Sequence, residues 1–220
     1  MSQEVLIPKM KRNSKKHMNF RIQLLNLVLI IFSVMLIITS TFINIDFSHY
    51  IIPSGLFSGK ILEKEDFVFS FGIIPQIPVL LFICSALGKK MAITSVCLYI
   101  LIGLFFLPVF ALGGGLRYFG QYSFGYILAY IPAVVIAGNF LNKKYSFLYM
   151  FLASISGVLI IHFIGSIYMI LIALIKHSGF EFIKSWLCAQ SGLKIIYDFI
   201  FSFLLVLVGK HINEFIKFVK

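Results

Sequence analysis

The sequence predicts an all-α membrane protein, a bundle of six transmembrane helices with both termini cytoplasmic. Three observations carry this expectation: 60% of the 220 residues are hydrophobic, only 12% are charged, and the mean hydropathy is +1.00. About a quarter of the residues of a soluble domain are charged. The apolar residues also fall in long unbroken runs rather than ten-residue alternating segments, which selects helices over a β-barrel.

Bilayer hydrocarbon is about 30 Å thick and a helix rises about 1.5 Å per residue, so about 20 apolar residues make one span. The first span runs from about Phe20 to Ile43, behind a basic tail over residues 1–19. That tail imitates the start of a signal peptide. The apolar run after it is longer than an h-region and has no small-x-small cleavage site, so the segment is expected to be retained. The second span covers about Val68 to Leu87, the third Met91 to Leu112 and the fourth Tyr122 to Leu141. The fifth, Ser146 to Ile175, is long enough to tilt or project beyond the lipid, and the sixth covers about Lys194 to His211. With no internal repeat or low-complexity linker, residues 1–220 are expected to form one integral membrane domain.

Charge sets the orientation, because Lys and Arg are retained on the cytoplasmic side and acidic residues contribute little. With both termini inside, the inner segments hold Lys9, Lys11, Arg12, Lys15, Lys16, Arg21, Lys89, Lys90, Lys143, Lys144, Lys210, Lys217 and Lys220, which is 13 of the 19 basic residues. The outer side keeps Lys60, Lys64, Arg117, Lys176, Lys184 and Lys194 beside the acidic Asp46, Glu63, Glu65 and Asp66. A net charge of +11 is also compatible with nucleic-acid binding. The bases sit as short clusters at span ends with no soluble domain to carry them, so anionic membrane lipid is the expected partner and nucleic acid is not.

Catalytic signals are poor. Gly55-Leu56-Phe57-Ser58-Gly59-Lys60 has three residues between its glycines where a phosphate loop has four, and Ile61 where Ser or Thr is required. There is no His-Glu-x-x-His and no Gly-x-Ser-x-Gly. Cys84, Cys97 and Cys188 have neither CxxC nor metal spacing. The chain is therefore read as a non-enzyme without cofactor or metal. Small residues recur every four positions in the fourth span, at Gly125, Ala129, Ala133 and Ala137, with Pro132 as a kink site; Ala153, Gly157 and Gly165 make a similar stripe in the fifth. Close approach of small residues drives helix association in lipid. Intramolecular packing is the expected use of these stripes, with docking of another subunit as the alternative.

Few polar groups are placed to face a pocket near the outer mouth. Arg117 follows the glycine run at the outer end of the third span, and Asp198 lies about one turn inside the outer end of the sixth. A charge at mid-depth facing lipid costs about 2.5–3.5 kcal/mol, so an intramembrane carboxylate normally faces the bundle and has a partner. Lys194, one turn before Asp198, shares its face and is the expected partner. Gly113, Gly114 and Gly115 would let backbone approach a ligand with φ > 0, or simply end the third helix. Tyr122 and Tyr126 offer aromatic wall or hydroxyls, Gln76 opens the second span, and His162 reads as a hydrogen-bonded packing residue.

Between Gln76 and Gly115 the residues also keep a register: Gln76, Gly88, Tyr99 and Gly103, then Leu107-Pro108-Val109-Phe110-Ala111 and the three glycines. This segment resembles the BioY family, the biotin-specific substrate-binding (S) subunits of energy-coupling-factor (ECF) transporters, and a weaker match continues through Gln121 to Tyr126. The resemblance implies a bundle of the ECF S-component type, biotin as the transported ligand, a bacterial plasma-membrane location, and a transmembrane coupling subunit with ATPase subunits as partners; a homo-oligomer is the alternative assembly. It also implies a site in which a cation such as Arg117 holds the acid tail of biotin and an acceptor-only carboxylate such as Asp198 receives its ureido N–H groups.

The chain departs from the family pattern at three places. The last-helix Gly-Asp-x-x-Lys motif here reads Tyr197-Asp198-Phe199-Ile200-Phe201, the Pro-Thr before Phe-Gly-Tyr is replaced by Tyr122-Ser123, and the first span lacks the Ala-x-x-x-Ala used to dock the coupling subunit. Two further readings stay open: an S-type subunit for another small vitamin-like solute, and a non-transporting membrane scaffold or enzyme.

Overall fold

The computed structural model describes residues 10–50, 52 and 63–219. The Gly55–Lys60 run lies outside the described residues, as do Lys9 and Lys220. The first helix, α1 (Met10–Thr41), reaches back into the basic tail. A hairpin of β1 (Ile45–Tyr50) and β2 (Val68–Ile73) follows, then α2 (Gln76–Leu87) and α3 (Lys89–Phe105). Two pieces, α4 (Phe124–Leu128) and α5 (Tyr130–Leu141), succeed a 3-10 turn at Leu116–Gly120. The chain ends with α6 (Phe147–Ile175), the short α7 (Phe180–Ser191) and α8 (Lys194–Val219).

Among the described residues, four helical stretches are long and apolar enough to cross a membrane: Gln23–Thr41, Phe124–Leu141, Phe147–Ile175 and Phe180–Phe215. The chain is a multi-pass membrane protein. Its lipid face is legible on α8, where Ile196, Ile200, Leu204 and Val208 are exposed at four-residue intervals while Asp198, Ser202, Val206 and Lys210 are buried behind them.

Three expectations are corrected. Val68–Ile73 does not open the second span: it pairs antiparallel with β1, Ile45 opposite Ile73 and Tyr50 opposite Val68. Val, Phe and Ile suit a pleated strand as well as they suit lipid, so hydropathy alone could not separate the two. The third span stops at Phe105 rather than Leu112, because Pro108 disfavours helix in the residue before it and the glycines beyond carry no helical preference. The segment after Ile175, read as a plain outer loop, holds the twelve-residue α7.

At 12 residues, α2 is about 18 Å long, far less than the hydrocarbon is thick. It is tolerated because protein surrounds it: Leu80, Leu81, Ile83 and Cys84 have 1% exposure or less. Its main partner is α8. They meet at Gly209, where an added Cβ would press on Ser85 Oγ and come within 2.9 Å of the Phe82 carbonyl. The small-residue stripe of α4 and α5 also faces inward. Ala129, Ala133 and Ala137 are fully buried, Gly125 receives the Tyr168 side chain and Gly165 receives Tyr126. Pro132 accounts for the break between α4 and α5, since it has no N–H for the Leu128 carbonyl and its ring crowds that position.

Candidate binding site

The start of α2, the loop after α3, α4, the start of α5, the middle of α6, the end of α7 and the start of α8 surround a cavity of about 90 Å³. Ile74, Ile77, Ala111 and Ile127 give it apolar wall, and Gln76, Tyr118, Tyr126, Tyr130, His162 and Lys194 give it polar groups. Three of the candidate binding residues named from sequence therefore stand in the wall, Gln76, Tyr126 and Lys194, together with His162, which was read as a packing residue.

Gln76 is a hub. Its Nε2 donates to Thr41 Oγ1 at 2.6 Å and to the Tyr99 hydroxyl at 2.7 Å, while its Oε1 accepts from the Tyr130 hydroxyl at 2.6 Å. One buried amide thus ties α1, α3 and α5 to the start of α2. Buried polar groups are costly unless bonded, and this one uses both donors and one of its two acceptor sites.

Asp198 is fully buried and is not part of the cavity wall, although His162, which bonds it, and Lys194, one turn before it, both are. Its expected partner was Lys194, but the bond is made by His162, whose Nε2 lies 3.1 Å from Asp198 Oδ2. The Lys194 ammonium instead points to Gln190 Oε1 at 3.4 Å, close enough to Asp198 to feel its charge. Asp198 Oδ1 has no partner among the described residues. The other nitrogen of His162, Nδ1, is 3.0 Å from Ser191 Oγ at the end of α7, and that hydroxyl also meets the Tyr126 hydroxyl at 2.7 Å.

Arg117, Tyr122 and the glycines stand outside the wall. Arg117 is exposed on the 3-10 turn, next to Tyr118, which lines the cavity. The Tyr122 hydroxyl lies 3.1 Å from Ser178 Oγ, and the Lys176 ammonium sits 4.4 Å over its ring, a cation–π contact joining the ends of α4 and α6. Gly113 and Gly115 have φ of 111° and 83°, as the glycine reading expects. Their loop folds back on α3: Gly115 N–H donates to the Gly103 carbonyl at 2.8 Å, and a Cβ on Gly114 would come within 2.6 Å of that same oxygen. Sequence reasoning missed Tyr130, Ser191 and the importance of His162. An ionisable side chain in mid-span was the available signal for the last.

The BioY family model matches residues 10–218. The chain belongs to the BioY family. Among curated relatives, the "Biotin transporter BioY" of Thermotoga maritima is 29% identical over 119 residues, covering 52% of this chain and 70% of that protein. The "Probable biotin transporter BioY" of Lysinibacillus sphaericus is 34% identical over 85 residues, covering 38% of this chain and 43% of that one. A solved structure, the S-component for biotin from an ECF-type ABC transporter, superposes with a TM-score of 0.63 at 21% identity, over 88% of this chain and 93% of that chain. The fold of the BioY chain is thus that of an ECF S-component.

In this family setting the position of Phe201, where the last-helix motif carries lysine, has a packing explanation. The Phe201 and Tyr197 rings stand 5.9 and 5.0 Å from the ring of Phe47 on β1. The aromatic replacement seats the hairpin on α8.

Proposed function

We propose that this BioY chain captures biotin from the extracytoplasmic side as the substrate-binding subunit of an ECF-type transporter, a single membrane domain with both termini in the cytoplasm. The observation that carries the reading is that two residues of the cavity wall, Lys194 and His162, flank a buried carboxylate, Asp198, whose Oδ1 has no partner among the described residues. Asp198 Oδ1 accepts a ureido N–H, and Lys194 donates to the ureido carbonyl. These groups are about 6 Å apart along the helix, so both serve the ring, and the acid tail extends toward the mouth. Arg117 stands at the rim to meet it. Binding free energy comes from the enclosed ring, with the exposed guanidinium contributing the smaller, screened part.

Biotin capture is passive, and energy for release inward is supplied by a coupling subunit with ATPases. Equilibrium binding of labelled biotin to the purified protein tests the reading: saturable binding that Asp198→Ala abolishes is expected, and no saturable binding would overturn it. Phe201 favours one second reading, an S-type subunit for another small heterocyclic acid. A thermal-shift series in which a different vitamin stabilises the protein and biotin does not would select that alternative.

A further inference from the structure

We infer that His162 is a positioning residue that fixes the ligand-binding rotamer of Asp198 and ties it to α7 through Ser191, an inference that rests on the biotin-site reading above. An ionised carboxylate has only acceptors, so the proton shared with Oδ2 must sit on His162 Nε2. When the imidazole is neutral, Nδ1 is an acceptor 3.0 Å from the Ser191 hydroxyl, which then donates to it. The Ser191 oxygen in turn accepts from Tyr126, 2.7 Å away, and from Ser166 at 3.2 Å. Every link in this series has a donor and an acceptor, and it runs one way, from the cavity wall through α7 to the carboxylate.

Its consequence lies at the far end. With Oδ2 held by His162, the carboxylate cannot rotate freely, and Oδ1 is left buried with no partner among the described residues. A buried acceptor without a donor is costly, and a ligand N–H that reaches it recovers that cost. Both groups are withdrawn from solvent, His162 at 3% exposure and Asp198 at 0%, where hydrogen bonds gain strength from the low dielectric. The series also gives α7 a role. None of its residues is buried, and Ser191 at its last position is hydrogen-bonded to α4 and α6 at once. Withdrawal of α7 breaks the Ser191–His162 bond and frees the imidazole to turn, so α7 docking and Asp198 orientation occur together.

The test is equilibrium binding of labelled biotin to the full-length purified protein, with thermal melting of each variant alongside. His162→Leu removes the donor and is expected to weaken binding about 10- to 100-fold, the scale of a lost hydrogen bond to a charged group. His162→Gln places an amide N–H near the imidazole Nε2 and is expected to stay within about threefold of the parent, a rescue a mere packing role does not predict. The decisive measurement is a double-mutant cycle. If His162 acts through Asp198, His162→Leu combined with Asp198→Asn binds no more weakly than Asp198→Asn alone. Losses that multiply would overturn the positioning role, as would His162→Gln falling as far as His162→Leu. Should His162→Leu fail to fold, the Gln variant and Ser191→Ala carry the test, the latter with an expected loss of a few-fold and wild-type affinity as the overturning result. Unchanged binding in Asp198→Asn would overturn the biotin site itself. A loss there with wild-type affinity in His162→Leu overturns only the relay.

Discussion

Gln76 donates its amide to the hydroxyl of Tyr99 across 2.7 Å, and these are two of the residues whose spacing marks the family. The other marks have equally local reasons. Gly88 takes φ of 88° between α2 and α3, and Gly103 leaves room for the ring of Phe110, which a Cβ would strike. The signature is thus largely a wiring plan for the bundle, with Gln76 and Ala111 as the parts that also face the cavity.

Gln76→Leu is therefore expected to lower stability before it lowers specificity. It removes three bonds and leaves the Tyr99 and Tyr130 hydroxyls buried without their amide partner, at about 1–3 kcal/mol for each group left unsatisfied. Thermal unfolding in detergent should show a clear fall in Tm. A Tm equal to that of the parent would mean that the hub does not hold α1, α3 and α5 together.

Much of the fold was legible because long apolar runs leave few choices in a bilayer. The starts and ends of α6 and the start of α8 fell within a residue of expectation. The hairpin was not legible: Val68, Ile73 and their neighbours are as apolar as a helix opening, and only pairing with Ile45–Tyr50, 18 to 28 positions earlier, makes them a strand. The site was legible by residue type and not by partner. Asp198 was expected on a buried face with Lys194 because helix spacing puts them together. The histidine that bonds it comes from α6, and no spacing rule relates two helices that far apart in sequence.

The contact between α2 and α8 makes a second stability prediction. At Gly209 an Ala methyl meets Ser85 Oγ and the Phe82 carbonyl, and backbone cannot yield as a side chain does. Gly209→Ala should destabilise by about 1–3 kcal/mol, the usual cost of overpacking. Adding Ser85→Ala should recover only part of this, since the carbonyl remains. Full recovery in the double variant would place the whole clash on the serine.

Lys194 and Arg117 should separate by affinity. Lys194 stands in the cavity wall and is proposed to hold the ureido carbonyl, so Lys194→Met should weaken biotin binding about 10-fold or more. Arg117 is exposed, and Arg117→Ala should cost less than about 5-fold, in line with a solvated ion pair. Its distinguishing mark is selectivity: the parent should prefer biotin over its methyl ester, and Arg117→Ala should narrow that preference. A larger loss from Arg117→Ala than from Lys194→Met would reverse the proposed orientation of the ligand.

Orientation in the membrane can be read from the native cysteines. Cys188 is exposed on α7, Cys97 half-buried in α3 and Cys84 buried in α2. The proposed topology puts α7 outside, on the opposite side from the basic clusters at Lys89–Lys90 and Lys143–Lys144 that the charge rule retains inside. A membrane-impermeant maleimide added to intact cells should therefore label the protein once, at Cys188, and Cys188→Ser should abolish the label. Cys97 and Cys84 stay silent because one is on a span and the other is enclosed by helices. Labelling of Cys188 only after the membrane is opened would place α7, and with it the mouth of the cavity, in the cytoplasm, and capture from outside would then be physically closed to this chain.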